Sequence, residues 1–245
     1  MQLPAPFRLE DDQIVADLPH ARALFSTARG GVSQGPFDSL NLGLLTDDAP
    51  ENVAENRRRL GERVGHPWPR FCYGRQVHGT RVRRASEPPS AARPYTEEDG
   101  QATALTDAAA IVFVADCLPV LLAAEGAVAA LHCGWRPLAG GIISEGVAAL
   151  HEVGGRGAVT AALGPSARGC CYEVSEEVHA HFAAHDARRG QNLDIAAVAR
   201  EQLEAHGIEV HDTGICTICS APGTHFSHRR DQGITGRQSG VVWRA

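Results

Sequence analysis

The sequence predicts an α/β (α+β) fold: a single compact domain, residues 1–245, with buried mixed sheets flanked by helices. Three observations carry this. Two apolar runs, "AAAIVFVADCLPVLLAA" (108–124) and "GAVAALHCG" (126–134), are separated by the turn "AEG" and read as buried central strands. Amphipathic helical patterns follow at 139–154 and 193–207. A chain of 245 residues with 43% hydrophobic content can bury one large core.

In order along the chain, residues 22–44 are rich in Gly and Ser and read as strand, glycine loop and turn. Residues 46–65 predict a helix. Asp48 is the expected cap, Pro50 fits the first turn, and Val53, Leu60 and Val64 form its apolar stripe. Arg57, Arg58 and Arg59 read as its solvated face. "FCYGRQVHGTRVRRA" (71–85) alternates like a strand passing through a glycine, and the polar, Pro-rich stretch 86–102 reads as a mobile surface loop. The helix over 139–154 packs on the central strands, and "GAVTAALGPS" (157–166) is a further buried strand ending in a Gly-Pro loop. Helices are predicted over 175–190 and 193–207, the second capped by Asp194 and stopped by Gly207. "IEVHDTGIC" and "SGVVWRA" are the late strands.

Net charge is −6, and no basic stripe suggests nucleic acid. The 23 basic residues are all arginine, which excludes Schiff-base, Walker-type and general-base lysine chemistry. No basic-then-apolar leader opens the chain, and no stretch reaches the roughly 20 apolar residues of a membrane span. The expectation is a cytoplasmic protein without membrane contact, monomeric or homodimeric. Its seven cysteines are then reduced thiols and not a disulfide framework.

Cys117 ends one apolar run and His132 the next, and side chains converge at such strand ends. Alone, Cys117 reads as a small core residue. His78, before a glycine in "RQVHGTRV", supplies a third donor. Two imidazoles and a thiolate suit a zinc site with an open fourth position, with copper the alternative ion. The same residues also fit a metal-free thiol hydrolase with Cys117 as nucleophile and His132 or His78 as base. Cys216 and Cys219, in a Cys-x-x-Cys, and vicinal Cys170 and Cys171 read as separate reduced thiols, because adjacent cysteines rarely share one tetrahedral ion. His181 and His185 read as a solvated helix face, and Ser166 lacks the surrounding glycines of a nucleophile elbow. Arg136, Arg229 and Arg230 stand beside glycine-containing turns, where guanidiniums suit phosphate or carboxylate. His132 and Cys133 face opposite ways in a regular strand, so only one reaches a site.

The blocks "FSTARGGVSQGPFDSLNLG", "RQVHGTRV", "ADCLPVLL", "LHCGWRPLAGGI", "GPSARGCCYEV" and "CTICSAPGTHFSHRRDQGITGR" occur in this order from about residue 22 to 243. Together they resemble the bacterial laccase-domain (polyphenol oxidase) family. The resemblance implies a fold similar to cysteine-hydrolase-like toxin domains and a zinc site made by His78, Cys117 and His132. It implies phosphorolysis of adenosine, inosine and methylthioadenosine, and deamination of adenosine. Copper-linked laccase activity and editing of peptidoglycan precursors are also ascribed to the family. Departures from its pattern are Ala28 at an arginine position with Arg29 next to it, Thr103 at an aspartate position, and Pro137 after "GWR".

Multi-copper oxidase chemistry calls for many histidines in repeated pairs, and these 12 histidines contain one His-x-His pair, His179 and His181. One open metal fits deamination or phosphorolysis better. For phosphorolysis, Arg136 and Arg230 are the expected phosphate contacts, and Asn41 the expected contact to base or sugar. Asp116 would point away from the site if its strand stayed regular.

Overall fold

In a computed structural model, which describes residues 3–86 and 96–245, two six-stranded sheets pack face to face with helices on both outer faces. Strands β1 (Arg8–Glu10), β2 (Gln13–Leu18) and β3 (Ala21–Phe25), the last being the strand expected at the start of 22–44, form an antiparallel meander. Helix α1 (Pro50–Val64), β4 (Phe71–Cys72), β5 (Val82–Ala85), β6 (Gly100–Thr103) and β7 (Ala109–Val114) follow. Next come β8 (Leu118–Glu125), β9 (Ala127–Cys133), α2 (Trp135–Ala139), α3 (Ile142–Glu152) and β10 (Arg156–Leu163). The chain ends with α4 (Glu176–Ala180), the short pair β11 (Arg188–Arg189) and β12 (Asn192–Leu193), α5 (Ile195–Ala205), β13 (Glu209–Asp212) and β14 (Gln238–Arg244). One sheet runs β1-β2-β3-β14-β7-β4 and the other β13-β10-β8-β9-β6-β5; both are mixed.

Period-two alternation explains why the central strands are apolar throughout. In β8 and β9, Leu118, Val120, Leu122, Ala129, Leu131 and Cys133 join a core with α3 and α5. Leu121, Ala123, Val128 and Ala130 face the other way, against Ile14, Phe25, Val112 and Val242 of the opposite sheet. A third core lies between that sheet and α1. The molecule is therefore layered helix, sheet, sheet, helix.

Several expectations change. The 108–124 run is two strands, broken where Asp116 takes a left-handed φ of 87°. The 71–85 segment is strand only at its ends, and the chain between them is the loop that carries His78. Within 86–102, residues 100–103 are strand β6, and the loop predicted over 87–95 lies outside the described residues. The 175–190 helix stops at Ala180, because Phe182 and His185 hydrogen-bond three residues back in successive turns. His185 bonds Glu201 instead of standing on a solvated helix face.

Asp48 does not cap α1: Ala49 is the cap residue, and the Asp48 carboxylate takes hydrogen bonds from Ser33 and Asn41. Arg57 is buried, with its guanidinium 4.5 Å from the Trp68 ring centre and donating to Leu42 O, so it is not on the solvated face of α1. By contrast, Asp194 does cap α5, accepting the amides of Ala196 and Ala197, and Gly207 ends the turn beyond it at φ 71°. Among the described residues no helix is long and apolar enough to cross a membrane.

Candidate metal centre

Antiparallel pairing of β8 with β9 sets Leu118 opposite Cys133 and Pro119 opposite His132. Cys117, just before β8, therefore lies beside Gly134, just after β9. A Cβ at Gly134 would sit 3.0 Å from Cys117 Sγ and 3.2 Å from His78 Cδ2. The glycine is what allows the donors to approach. His132 and Cys133 do face opposite ways. Cys133 is in the apolar core, where burial pushes its thiol well above the ordinary range, and His132 turns toward the loop carrying His78.

His78 sits in that loop at a left-handed φ of 60°. A buried carboxylate, Asp99, holds the strained turn by accepting the amides of Val77, His78 and Gly79 at 3.1, 2.9 and 2.7 Å. Asp99 Oδ1 also lies 2.7 Å from His132 Nδ1. One side chain thus orients the His132 imidazole and holds the turn that carries His78, and the tie at Nδ1 leaves His132 Nε2 for the site. Gln76 pins the same loop to β7, exchanging two hydrogen bonds with the backbone of Phe113.

His78, Cys117 and His132 bring their donor atoms within 4.8 Å of one another, with Cys117 Sγ 3.7 Å from His78 Nε2. Burial alone would raise the Cys117 thiol, but His132 and His78 more than offset it and bring it down to about 6. Burial opposes charge on His132 too, yet the Cys117 sulfur and Asp99 raise it to about 9. For Asp99, burial is outweighed by His132 and the loop amides, and its pKa stays below the usual carboxylate range. A thiolate beside charged imidazole results, a state that a cation can enter by displacing protons. Tetrahedral bonds of 2.0–2.3 Å require donor separations of about 3.3–3.6 Å, so the set fits zinc or copper with a small closure.

The donors open on a cavity of about 470 Å³. Tyr73, Phe113, Trp135 and Tyr172 supply apolar walls, and Arg57, Arg136, Arg229 and Arg237 supply charge. The Arg136 guanidinium lies 4.2 Å from the Trp135 ring centre, and that of Arg229 lies 5.3 Å from Tyr172. Arg230 does not line this cavity; it binds Asp231 and the carbonyls of Thr217 and His225. Nor does Asn41, which is fully buried and binds Thr46, Asp48, Gly43 and the Arg237 amide. Asp116 does line it, with its oxygens accepting from Thr217 Oγ1 and the Arg229 amide. Arg29 pairs with Asp12 at the surface. Thr103 bonds Ala85 O inside the sheet, and Pro137 is buried in α2.

Sequence reasoning missed Asp99, Arg57 and Arg237. Asp99 stands in "EEDGQA", where carboxylates read as loop, and its separation from both histidines leaves no spacing signal.

The family model described as multi-copper polyphenol oxidoreductase laccase matches residues 22–245. A purine nucleoside phosphorylase of Corynebacterium glutamicum is 36% identical, covering 91% of this chain and 94% of its own. One of Pseudomonas aeruginosa is 40% identical, covering 91% and 93%. The crystal structure of YlmD from Geobacillus stearothermophilus superposes with a TM-score of 0.86 at 32% identity, over 98% and 99% of the two chains. By this match over nearly its whole length, the chain belongs to the multi-copper polyphenol oxidoreductase laccase family.

Proposed function

We propose that this protein is a zinc-dependent purine nucleoside phosphorylase acting on adenosine, inosine and methylthioadenosine, with adenosine deamination as a second activity of the same site. The observation that carries the reading is the His78, Cys117 and His132 donor set at the edge of a cavity with both aromatic walls and arginines. The phosphorylase names of the relatives support it.

His78, Cys117 and His132 would hold the ion, which supplies Lewis acidity when bound. The aromatic walls suit the faces of a purine and exclude water. Arg136 and Arg229 suit the phosphate; their contacts run to ring faces and a carbonyl, which leaves donors for an anion. In the reaction a phosphate oxygen bonds to C1′ of the ribose as the bond from C1′ to the purine nitrogen breaks and its electrons leave with the base. Holding phosphate in line with that bond is the work of the arginines. Arg230 has no part in this assignment, because its guanidinium is engaged with Asp231.

Cys117 beside His132, whose ring Asp99 holds, also resembles a nucleophile, a base and its orienter, with His78 Nε2 3.7 Å from the same sulfur, which favours a metal-independent Cys/His hydrolase as the second reading. Product chromatography after incubation with adenosine, with and without phosphate, tests both. Adenine formed only with phosphate is the expected result, with inosine reporting deamination. Turnover by demonstrably metal-free protein would favour the hydrolase.

A further inference from the structure

Four cysteines outside the cavity also converge. The sulfurs of Cys170, Cys171, Cys216 and Cys219 all lie within 4.8 Å of one another, and Cys170 and Cys219 are 3.7 Å apart. All four are free thiols. A disulfide needs about 2.05 Å, whereas four sulfurs at about 2.3 Å around one ion stand about 3.8 Å apart. The Cys170–Cys219 separation of 3.7 Å matches the second arrangement, and the 4.8 Å bound puts the other pairs within a small closure of it.

The array is built by the backbone. Amides of Cys171 and Tyr172 both bond to Arg168 O at 2.9 Å, and this turn folds the vicinal pair so that both sulfurs join the cluster. The obstacle that adjacent cysteines present in an extended chain is thereby removed. Cys216 to Cys219 form a knuckle closed by the Ser220 amide on Cys216 O at 3.1 Å. The Ser166–Cys216 bridge holds the two turns side by side, and Arg168 braces them through Asp212, Gly164 O and Ile215 O.

We infer that Cys170, Cys171, Cys216 and Cys219 hold a closed, structural zinc-class ion, separate from the donor set in the cavity. Four sulfur donors with no oxygen ligand select a soft or borderline d10 ion over magnesium or calcium. The ion has a mechanical task. Residues 213–237 contain neither helix nor strand, yet they supply His228, Arg229 and Arg237 to the cavity. The knuckle residue Thr217 donates to Asp116 Oδ1 at 2.6 Å and accepts from Arg230 at 2.9 Å. A cross-link at the knuckle fixes the corner next to Cys117.

The test is metal analysis of the full chain purified with zinc under reducing conditions. The Cys117→Ser/His132→Ala variant should retain one equivalent of metal, and adding Cys216→Ser should remove it. After cobalt exchange, the first variant should show intense sulfur-to-cobalt charge-transfer bands. In the unsubstituted protein, the exposed Cys170 and Cys219 should resist iodoacetamide until a chelator is added, a readout that needs no variant to fold. A metal-free Cys117→Ser/His132→Ala variant that is folded, or thiols equally reactive with and without chelator, would overturn the inference. Recovery of the four as disulfides under these conditions would also do so.

Discussion

Asp99 Oδ1 lies 2.7 Å from His132 Nδ1 while the same carboxylate binds the amides of Val77, His78 and Gly79, so the two imidazoles of the candidate centre share one support. Asp99→Asn should weaken metal binding by roughly 10- to 100-fold, because an amide cannot offer two acceptor oxygens to His132 and the loop. Competition against a chromophoric chelator measures this. Unchanged affinity in a folded Asp99→Asn protein would remove Asp99 from the site.

Gly134→Ala isolates donor spacing from backbone strain. Gly134 has φ −74°, which any residue adopts, so the added methyl acts only through its 3.0 Å approach to Cys117 Sγ and 3.2 Å approach to His78. Metal content and turnover should each fall at least about tenfold, while unfolding in denaturant shifts by about 1 kcal/mol, within the usual cost of modest overpacking. A variant with full metal occupancy would show that the donors do not need this gap.

The parts of this site that sequence made legible are those fixed by local pattern. Strand periodicity sets His132 and Cys133 on opposite faces, and Cys117 and His132 stand out as donors where apolar runs end. What brings them together is the antiparallel register of β8 and β9, a long-range choice that no local pattern encodes. The same limit hid Asp99, whose partners lie 20 or more residues away. Arg57 was misplaced because a run of three arginines reads as solvated, whereas an aromatic cluster from three other segments gives one of them a buried seat. Arg230 drew attention by its neighbours in sequence, but the turn points Arg229 at the cavity and Arg230 at Asp231.

That distinction can be tested. Arg229→Ala should raise KM for phosphate by roughly 10- to 30-fold, the loss of about 1.5–2 kcal/mol expected for a charge-assisted contact, with little change in KM for nucleoside. Arg230→Ala should leave the phosphate KM within about threefold and instead lower stability through its lost bonds to Asp231 and two carbonyls. Steady-state kinetics with phosphate varied reads both, and the reverse pattern would return the phosphate role to Arg230.

The acid limit of stability should depend on His225. Its side chain is buried, its Nε2 has no hydrogen-bond partner among the described residues, and burial, helped by Arg230 and Arg29, lowers its pKa from 6.5 to about 4. Between these two values the unfolded chain carries a proton on His225 that the folded chain refuses. The unfolded state therefore gains stability as pH falls. The loss begins near pH 6.5, grows by up to about 1.4 kcal/mol per pH unit, and levels off below pH 4 at about 3 kcal/mol in total. His225→Gln has no proton to gain. Denaturant unfolding across this range should show the difference in stability between His225→Gln and the parent protein shifting in favour of the variant by about that amount, with no trend above pH 7. Because the comparison is a difference at each pH, other groups that titrate in the window cancel. A constant difference would mean that His225 is protonated equally in both states, and burial would then not be controlling its charge.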